Sequence, residues 1–384
     1  SLEPKIIIPM DYDDSALKVF LKETGEEKAE IVDKLTLKLK DLESKEGEVI
    51  ITDNVTVNLY KLLSAAIDSG RSVIVTNKEN FPTDKYVPER ICQRLAQLCP
   101  RLNVRLLYFE NDQISGPTAS DVAEILDKID GEKAVVTLSH VDYKSGALAD
   151  MKAINRVIRE SGALSLWDLC HSVGVVPINL NETKTDLAVG CTYKYLNGGP
   201  GSPAFLYANK NLLKNKKFFS PIGGWFSQKN QFSFGDKYDP HIGIERFFSG
   251  TPSIISMIAI EPAVDILIEA GIGKIRKKSN ELTKYFLDLY NKCLKEHGFV
   301  LLTPQDSSKR GSHISLTHDK AFGISLALRN DNIIPDFRPP NVIRIGLAPL
   351  YTRFIDVYNF THKLKVIMEN KKYRAYSKKG NIVP

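Results

Sequence analysis

Leu164-Ser165-Leu166-Trp167-Asp168, Leu187-Ala188-Val189-Gly190-Cys191 and Phe205-Leu206-Tyr207 are three short apolar runs, and the second leads into Thr192-Tyr193-Lys194-Tyr195-Leu196-Asn197-Gly198-Gly199-Pro200-Gly201. Short, nearly continuous apolar runs of this length read as strands buried on both faces of a sheet. The glycines and prolines after Lys194 force irregular backbone between the second strand and the third. Asp168 closes the first strand, His171 follows three residues later, and Lys194 comes 26 residues after Asp168, roughly one strand-and-crossover unit further on. A lysine held between buried strands has its ammonium form disfavoured, which lowers its pKa and suits it to imine chemistry.

Outward from this stretch the pattern repeats. Upstream, strands are expected at 48–51, 72–76, 104–108 and 134–138, separated by helices at 57–69, from Pro88 to Leu98, at 121–129 and at 150–161. Strands alternating with helices indicate βαβ units and a mainly parallel sheet covered on both faces, an α/β fold. In such sheets ligands bind at the carboxyl ends of the strands, and Asp84, Ser139 and Asp168 fall at or just after strand ends. Downstream, one long helix is expected from Ile254 to about Glu296. Strands at 300–302, 313–316 and 342–345 and a final helix at 355–370 then form a smaller α+β unit. The expected division is an N-terminal helical segment over 1–46 packing on the small domain or a partner, a large domain over 47–255, and a connecting helix with a small domain over 256–384.

Composition narrows the function. With 384 residues, 43% of them hydrophobic, the chain is too long for one compact core. The net charge of +6 is spread over short clusters such as 214–217, 276–278 and 371–374. This is the pattern of solvated helix faces, without the basic stripe that nucleic-acid binding needs. No apolar run is long enough to span a membrane, and Ser1-Leu2-Glu3-Pro4 lacks the features of a secretory signal. Five scattered cysteines without a CxxC pair, Cys92, Cys99, Cys170, Cys191 and Cys293, read as buried free thiols in a reducing cytoplasm. The seven histidines show no metal-binding spacing.

A lysine that carries pyridoxal 5′-phosphate as a Schiff base needs an acid against the pyridine nitrogen, donors for the phosphate and an aromatic cover for the ring. Taken singly, Asp168 reads as a helix cap and Lys194 as a surface lysine; the buried flanks of Lys194 and its spacing from Asp168 favour the cofactor role. The stretches 167–174 and 190–201 resemble the core of the kynureninases, pyridoxal-phosphate enzymes of the aspartate-aminotransferase fold type grouped with the cysteine desulfurases. Further matching stretches are 54–59, 80–84, 224–226, 250–252, 310–313 and 336–351, so the similarity runs from about Glu48 to Met368. The family's Asn-Ser-Leu-Gly segment and tryptophan-rich helix have no counterpart before it: Ile6-Ile7-Ile8-Pro9-Met10 stands there, and 1–45 holds no tryptophan.

The resemblance implies roles for individual residues. Lys194 would hold the cofactor and move the substrate's α-proton, Asp168 would pair with the pyridine nitrogen, and His171 would sit near the phenolic oxygen. Phe81 would cover the ring, with Pro82, Thr83, Asp84 and Ser139 lining the same cavity. Val55, Thr56 and Tyr193 would contact the phosphate, and Tyr193 would assist proton transfer. Trp225 and Thr251 would reach into the partner subunit's site, which implies a homodimer. Arg344 would grip the substrate's α-carboxylate; an arginine inside the apolar strand Ile343-Arg344-Ile345 needs an anionic partner in any case. As bare residues, Phe81 and Trp225 also read as core aromatics, and Thr251-Pro252 as a helix start. The implied reaction is hydrolysis of L-kynurenine, or its 3-hydroxy form, to an anthranilate and L-alanine. This places the protein in tryptophan catabolism through the kynurenine pathway, which feeds NAD biosynthesis. Another β-cleaving lyase or a cysteine desulfurase of the same fold, or a catalytically silent binding protein, are the alternatives.

Overall fold

The computed structural model describes residues 47–129 and 131–376. The helix expected within 14–45, and the whole 1–46 segment, lie outside the described residues.

Seven strands form the larger sheet: β1 (Gly47–Ile51), β2 (Val73–Asn77), β3 (Arg105–Phe109), β4 (Ala134–Ser139), β5 (Leu164–Asp168), β6 (Leu187–Cys191) and β7 (Ala204–Asn209). Their spatial order is β1-β7-β6-β5-β4-β2-β3. Strands β2 to β6 are parallel, β7 runs antiparallel to β6, and β1 runs antiparallel to β7. Alternate residues feed opposite faces, as the two-residue strand period requires. Ile74, Val135, Leu166, Val189 and Leu206 pack with Leu59, Leu62 and Leu63 of helix α1 (Val55–Asp68). Val73, Val75, Val136, Leu138 and Trp167 pack on the other face with Ile154 and Ile158 of α4 (Met151–Glu160). The buried indole Nε1 of Trp167 donates to Asn155 Oδ1 at 2.8 Å, and Asn155 Nδ2 donates to Thr183 O at 2.8 Å. That satisfied polar pair seats the end of β5, and so Asp168, against α4.

The chain winds from β2 outward to β3, then crosses back to β4 on the other side of β2. The order therefore reverses between β2 and β4, and the crevice at their carboxyl ends is where a ligand fits. Helix α2 (Pro82–Leu98) leaves that crevice, α3 (Ala119–Asp127) precedes β4, and a short α5 (Lys210–Leu213) follows β7.

Two expectations about helices are corrected. Helix α2 opens at Pro82 rather than Pro88, with Phe81 at its N-cap. Pro82 fits the first helical position, while Pro88 removes only one hydrogen bond from a helix held by buried Asp84, Val87 and Ile91. The long helix after Ile254 is three helices, α6 (Ile254–Ile258), α7 (Ile260–Ala270) and α8 (Ile272–Cys293), the last two parted at Gly271 with φ +77°.

The smaller sheet is antiparallel, in the order β10-β11-β9-β8, from β8 (Val300–Leu301), β9 (His313–Thr317), β10 (Asp336–Arg338) and β11 (Val342–Gly346). Helices α8, α9 (Ala321–Asn330) and α10 (Phe354–Glu369) cover it, packing Phe286, Ile324, Leu328 and Leu364 with Ile343 of β11. The loop after β4 joins the two sheets. Gly311 N donates to Gly146 O and Thr303 Oγ1 to Ser145 O, and Ala147 bridges to Arg310. Gly146, at φ +79°, has no room for a side chain: a Cβ there would stand 2.8 Å from His313 O.

Of the five cysteines expected to be buried, Cys170 and Cys191 are, Cys92 and Cys293 are half-buried, and Cys99 is exposed at the carboxyl end of α2. Among the described residues no helix is long and apolar enough to cross a membrane.

Candidate active site

The amino end of α1 opens toward solvent with unsatisfied donors. Asn54 caps it, accepting from Val57 N at 3.0 Å through its side chain and from Asn58 N at 2.9 Å through its carbonyl. The N–H groups of Val55 and Thr56 are left without an acceptor inside the helix, at the positive end of its dipole. The exposed Thr56 hydroxyl adds a further donor. This end is a cradle for an anion such as a phosphate. It is held by Lys61, fully buried on α1, which donates to Asp53 Oδ2 and to Phe247 O, both at 2.5 Å. Ser249 Oγ also donates to Asp53, at 3.2 Å, and ties the 249–253 loop to the same corner.

The crevice between β2 and β4 is closed by Asn80. Its Oδ1 accepts from Ser139 Oγ at 2.7 Å and from Phe81 N at 2.8 Å, while its Nδ2 donates to Thr76 Oγ1. Phe81 packs edge-on against Tyr143 with ring centroids 5.1 Å apart. Pro82 and Thr83 form the first turn of α2 with Asp84, whose carboxyl is fully buried with both oxygens unpartnered. Burial pushes its pKa well above the usual carboxylate range; the nearby Asp168 adds to the shift and Lys194 opposes it. Asp168 is buried at the end of β5, where Oδ1 accepts from Cys170 N at 2.6 Å. Asp84 thus sets a second buried carboxyl, without a hydrogen-bond partner, close to Asp168.

Lys194 follows β6 on the loop to β7 and is half-buried. Its Nζ is 3.3 Å from His171 Nε2 and 6.0 Å from the Tyr193 ring centroid. Gly174 lets the loop after β5 run against this segment: at φ +85°, a Cβ there would stand 2.8 Å from Tyr195 O. Burial, reinforced by Lys194, His313, Arg344 and Arg338, drives His171 well below the ordinary histidine pKa. Tyr193 is 48% exposed, and partial burial beside the sulfurs of Cys191 and Cys170 raises its phenol pKa.

Arg344 enters from β11. Its Nη1 donates to Tyr143 O at 2.6 Å and lies 3.5 Å from His171 Nε2, and its Nη2 forms an ion pair with Asp336 on the adjoining strand. The anionic partner demanded by a buried arginine thus comes from within the chain, so burial alone does not call for a substrate carboxylate. Beside it His313 is buried with both ring nitrogens unpartnered, its pKa lowered to about 3 by burial and by Arg344 and Lys194.

The structure therefore gathers Asp84, Asp168, His171, Lys194 and Arg344, with Phe81 and Ser139 on the crevice wall. Val55 and Thr56 form the anion cradle. Trp225 and Thr251 stand apart. Trp225 is 39% exposed and packs on Phe232 and Phe234, with ring centroids 5.9 and 5.4 Å away, and Thr251 is exposed. Neither makes a hydrogen bond or ring contact with Lys194, His171 or Arg344 among the described residues. Sequence reading assigned no role to Asn80, Tyr143, His313 or Asp336. Only Asp336 carried a usable signal, as an acidic residue in a stretch that had to neutralise Arg344.

The donor set fits pyridoxal phosphate: a lysine with a neutral neighbour, two buried carboxyls and free N–H groups at a helix end. The family model for the kynureninase C-terminal domain matches residues 275–364. A kynureninase from Pseudomonas fluorescens is 38% identical over 334 residues, covering 85% of this chain and 76% of that one. One from Burkholderia pseudomallei (strain 1106a) is 38% identical over 336 residues, covering 86% and 77%. Among solved structures, the apo cysteine desulfurase of Thermococcus onnurineus NA1 superposes with TM-score 0.70 at 20% identity, covering 84% of this chain and 80% of that one. A cystine C–S lyase bound to cysteine persulfide gives 0.69 at 19%, covering 83% and 81%. At these identities the solved structures establish the fold, that of the type I pyridoxal-phosphate enzymes.

Proposed function

The chain belongs to the kynureninase family, and from that premise we propose that it hydrolyses the Cβ–Cγ bond of L-kynurenine or 3-hydroxykynurenine. One water is consumed, and the products are an anthranilate and L-alanine. The observation that carries this reading is the convergence of Lys194, His171, Asp168, Asp84 and Arg344 at the β2/β4 crevice in a chain 38% identical to kynureninases. The pathway placement is tryptophan breakdown leading toward NAD, and the compartment is the cytoplasm.

Pyridoxal phosphate, when bound, supplies an electron sink for the charge that develops at the substrate's α-carbon. The chain's own residues do the rest. Val55 N, Thr56 N, the Thr56 hydroxyl and Tyr193 would hold the phosphate, and Asp168 would keep the ring nitrogen protonated. Phe81 would cover the ring, with Pro82, Thr83, Asp84 and Ser139 lining the same cavity. Lys194, oriented by its 3.3 Å contact with neutral His171, removes the α-proton and returns it in later steps, with Tyr193 assisting. Arg344 holds the α-carboxylate. Water then adds at the γ-carbonyl, and the bond to Cβ breaks. Trp225 and Thr251, exposed in the single chain, reach the neighbouring site in a homodimer.

A cysteine desulfurase needs a thiol on a mobile loop over the site. Cys170 and Cys191 are buried, and Cys99, the one exposed cysteine among the described residues, sits at the carboxyl end of α2, the length of that helix away from the crevice at its amino end. The test is direct. Protein supplemented with pyridoxal phosphate is examined for the visible band of the lysine-bound cofactor and for its loss with borohydride. L-kynurenine is then added and anthranilate fluorescence followed. No band sinks the cofactor reading; a band without anthranilate sinks the substrate.

A further inference from the structure

The guanidinium of Arg344 is held from two sides. Asp336 and Arg344 are direct cross-strand partners on β10 and β11, so their side chains rise from the same face of the small sheet. Asp336 Oδ2 pairs with Nη2 of Arg344 and also accepts from Nε of Arg338 at 3.0 Å, bridging two like charges. From the large sheet's side, Tyr143 O accepts from Nη1. A guanidinium carries five N–H donors in one plane. A carboxylate on one terminal nitrogen and a carbonyl on the other set that plane and leave donors free for a second carboxylate.

We propose that Asp336 is a positioning residue for substrate recognition, orienting Arg344 so that its remaining donors present a fork to the α-carboxylate of the amino-acid substrate. The proposal rests on the reading of Arg344 as the carboxylate-binding residue. An arginine on a flexible stem loses rotamer freedom when it grips a ligand; one already clamped by Asp336 and Tyr143 has lost it beforehand. Asp336 touches no reacting atom, so its effect falls on binding and leaves the chemical step alone.

The experiment is a double-mutant cycle on the holoprotein: wild type, Asp336→Asn, Arg344→Ala and the double variant. Each is titrated with L-alanine by the change in the cofactor's visible spectrum and assayed with L-kynurenine. Losing a charge-assisted hydrogen bond corresponds to about 10-fold in affinity or more. Asp336→Asn is therefore expected to weaken L-alanine binding and raise KM about 10-fold, with kcat within about threefold of wild type and the visible spectrum unchanged. Asp336→Glu is expected to recover part of the loss, and Asp336→Asn to add less than about twofold in the Arg344→Ala background. The proposal is overturned by unchanged L-alanine affinity in Asp336→Asn, by additive effects in the double variant, or by a fall in kcat at constant KM. If Arg344→Ala itself leaves L-alanine affinity unchanged, the Arg344 reading fails and this one falls with it. If only Asp336→Asn is silent, Asp336 alone is wrongly placed. Should Asp336→Asn fail to fold, Asp336→Ser takes its place in the cycle under the same criteria.

Discussion

Lys194 Nζ stands 3.3 Å from Nε2 of His171, an imidazole that burial and the surrounding cations hold in its neutral form. A neutral imidazole has one nitrogen that accepts and one that donates. Nε2 faces both the Lys194 ammonium and Arg344 Nη1, so the acceptor is Nε2 and the ring proton sits on Nδ1. Lys194 thus has a neutral hydrogen-bond acceptor beside it, which fixes its side chain without taking its proton.

Removing that lysine tests the whole arrangement. Lys194→Ala is expected to lower kcat by at least about 10³-fold, the scale of losing a general acid–base group, and to abolish the visible cofactor band. Circular dichroism should match wild type; substantial residual turnover would assign the proton transfer elsewhere.

Arg344 should divide the kinetic constants differently. Arg344→Ala is expected to raise KM for L-kynurenine by about 10- to 100-fold, the range of a lost charge-assisted pair, with a smaller change in kcat. Arg344→Lys should recover only part, because an ammonium cannot reproduce the fork. An Arg344→Ala variant with unchanged KM removes the carboxylate role.

Buried histidines should govern acid stability. His140 and His313 have pKa values lowered to about 4 and about 3, with burial the leading cause, and His171 is also lowered well below 6.5. Between those values and 6.5 the unfolded chain takes up protons that the folded chain refuses. Their contribution to stability is complete above pH 6.5 and is lost progressively as pH falls toward the folded-state values. Asp84, with a raised pKa, works in the opposite direction. Denaturant titrations of His140→Gln or His313→Gln over pH 4.5–6.5 should show the slope of stability against pH reduced by at most about 1.4 kcal/mol per pH unit, most near pH 5. A slope equal to wild type in both would contradict this.

Asp84 should trade stability for function. Its carboxyl is buried without a partner and lies close to Asp168. Asp84→Asn is expected to raise the stability of cofactor-free protein at pH 8 by about 1 kcal/mol while lowering kcat. A destabilised, fully active variant would indicate a purely structural carboxyl.

Backbone fit around the lysine can be probed without touching a polar group. Gly174→Ala places a Cβ 2.8 Å from Tyr195 O at a positive φ, so a loss of about 1–3 kcal/mol is expected. Thermal melting checks it, with a weakened cofactor band as the companion effect.

Much of this was legible in the sequence because short buried strands advertise themselves. The runs ending at Asp168 and Cys191 are wholly apolar or small apart from Ser165 and Asp168, and their strands match the expected bounds. Helix starts were harder to place. Pro82 and Pro88 both satisfy the preference for proline in a first turn, and only the burial of Asp84 and Val87 extends the helix back to Pro82. The small sheet's β10 is three residues long and draws its identity from pairing with β11, which no local pattern encodes. A related limit hid Tyr143 and His313, which meet Arg344 or His171 only through contacts between distant segments.

The Gly146–His313 contact fastens the small sheet to the loop between β4 and α4, so the pocket is walled by segments from both ends of the described chain. No partial fold, whether the large sheet alone or a nascent chain still lacking β11, can present Lys194 and Arg344 together. Capture of the substrate therefore reports on completed folding. Because a ligand that binds only the native state deepens it by mass action, cofactor or substrate in excess raises the resistance of the completed fold to unfolding.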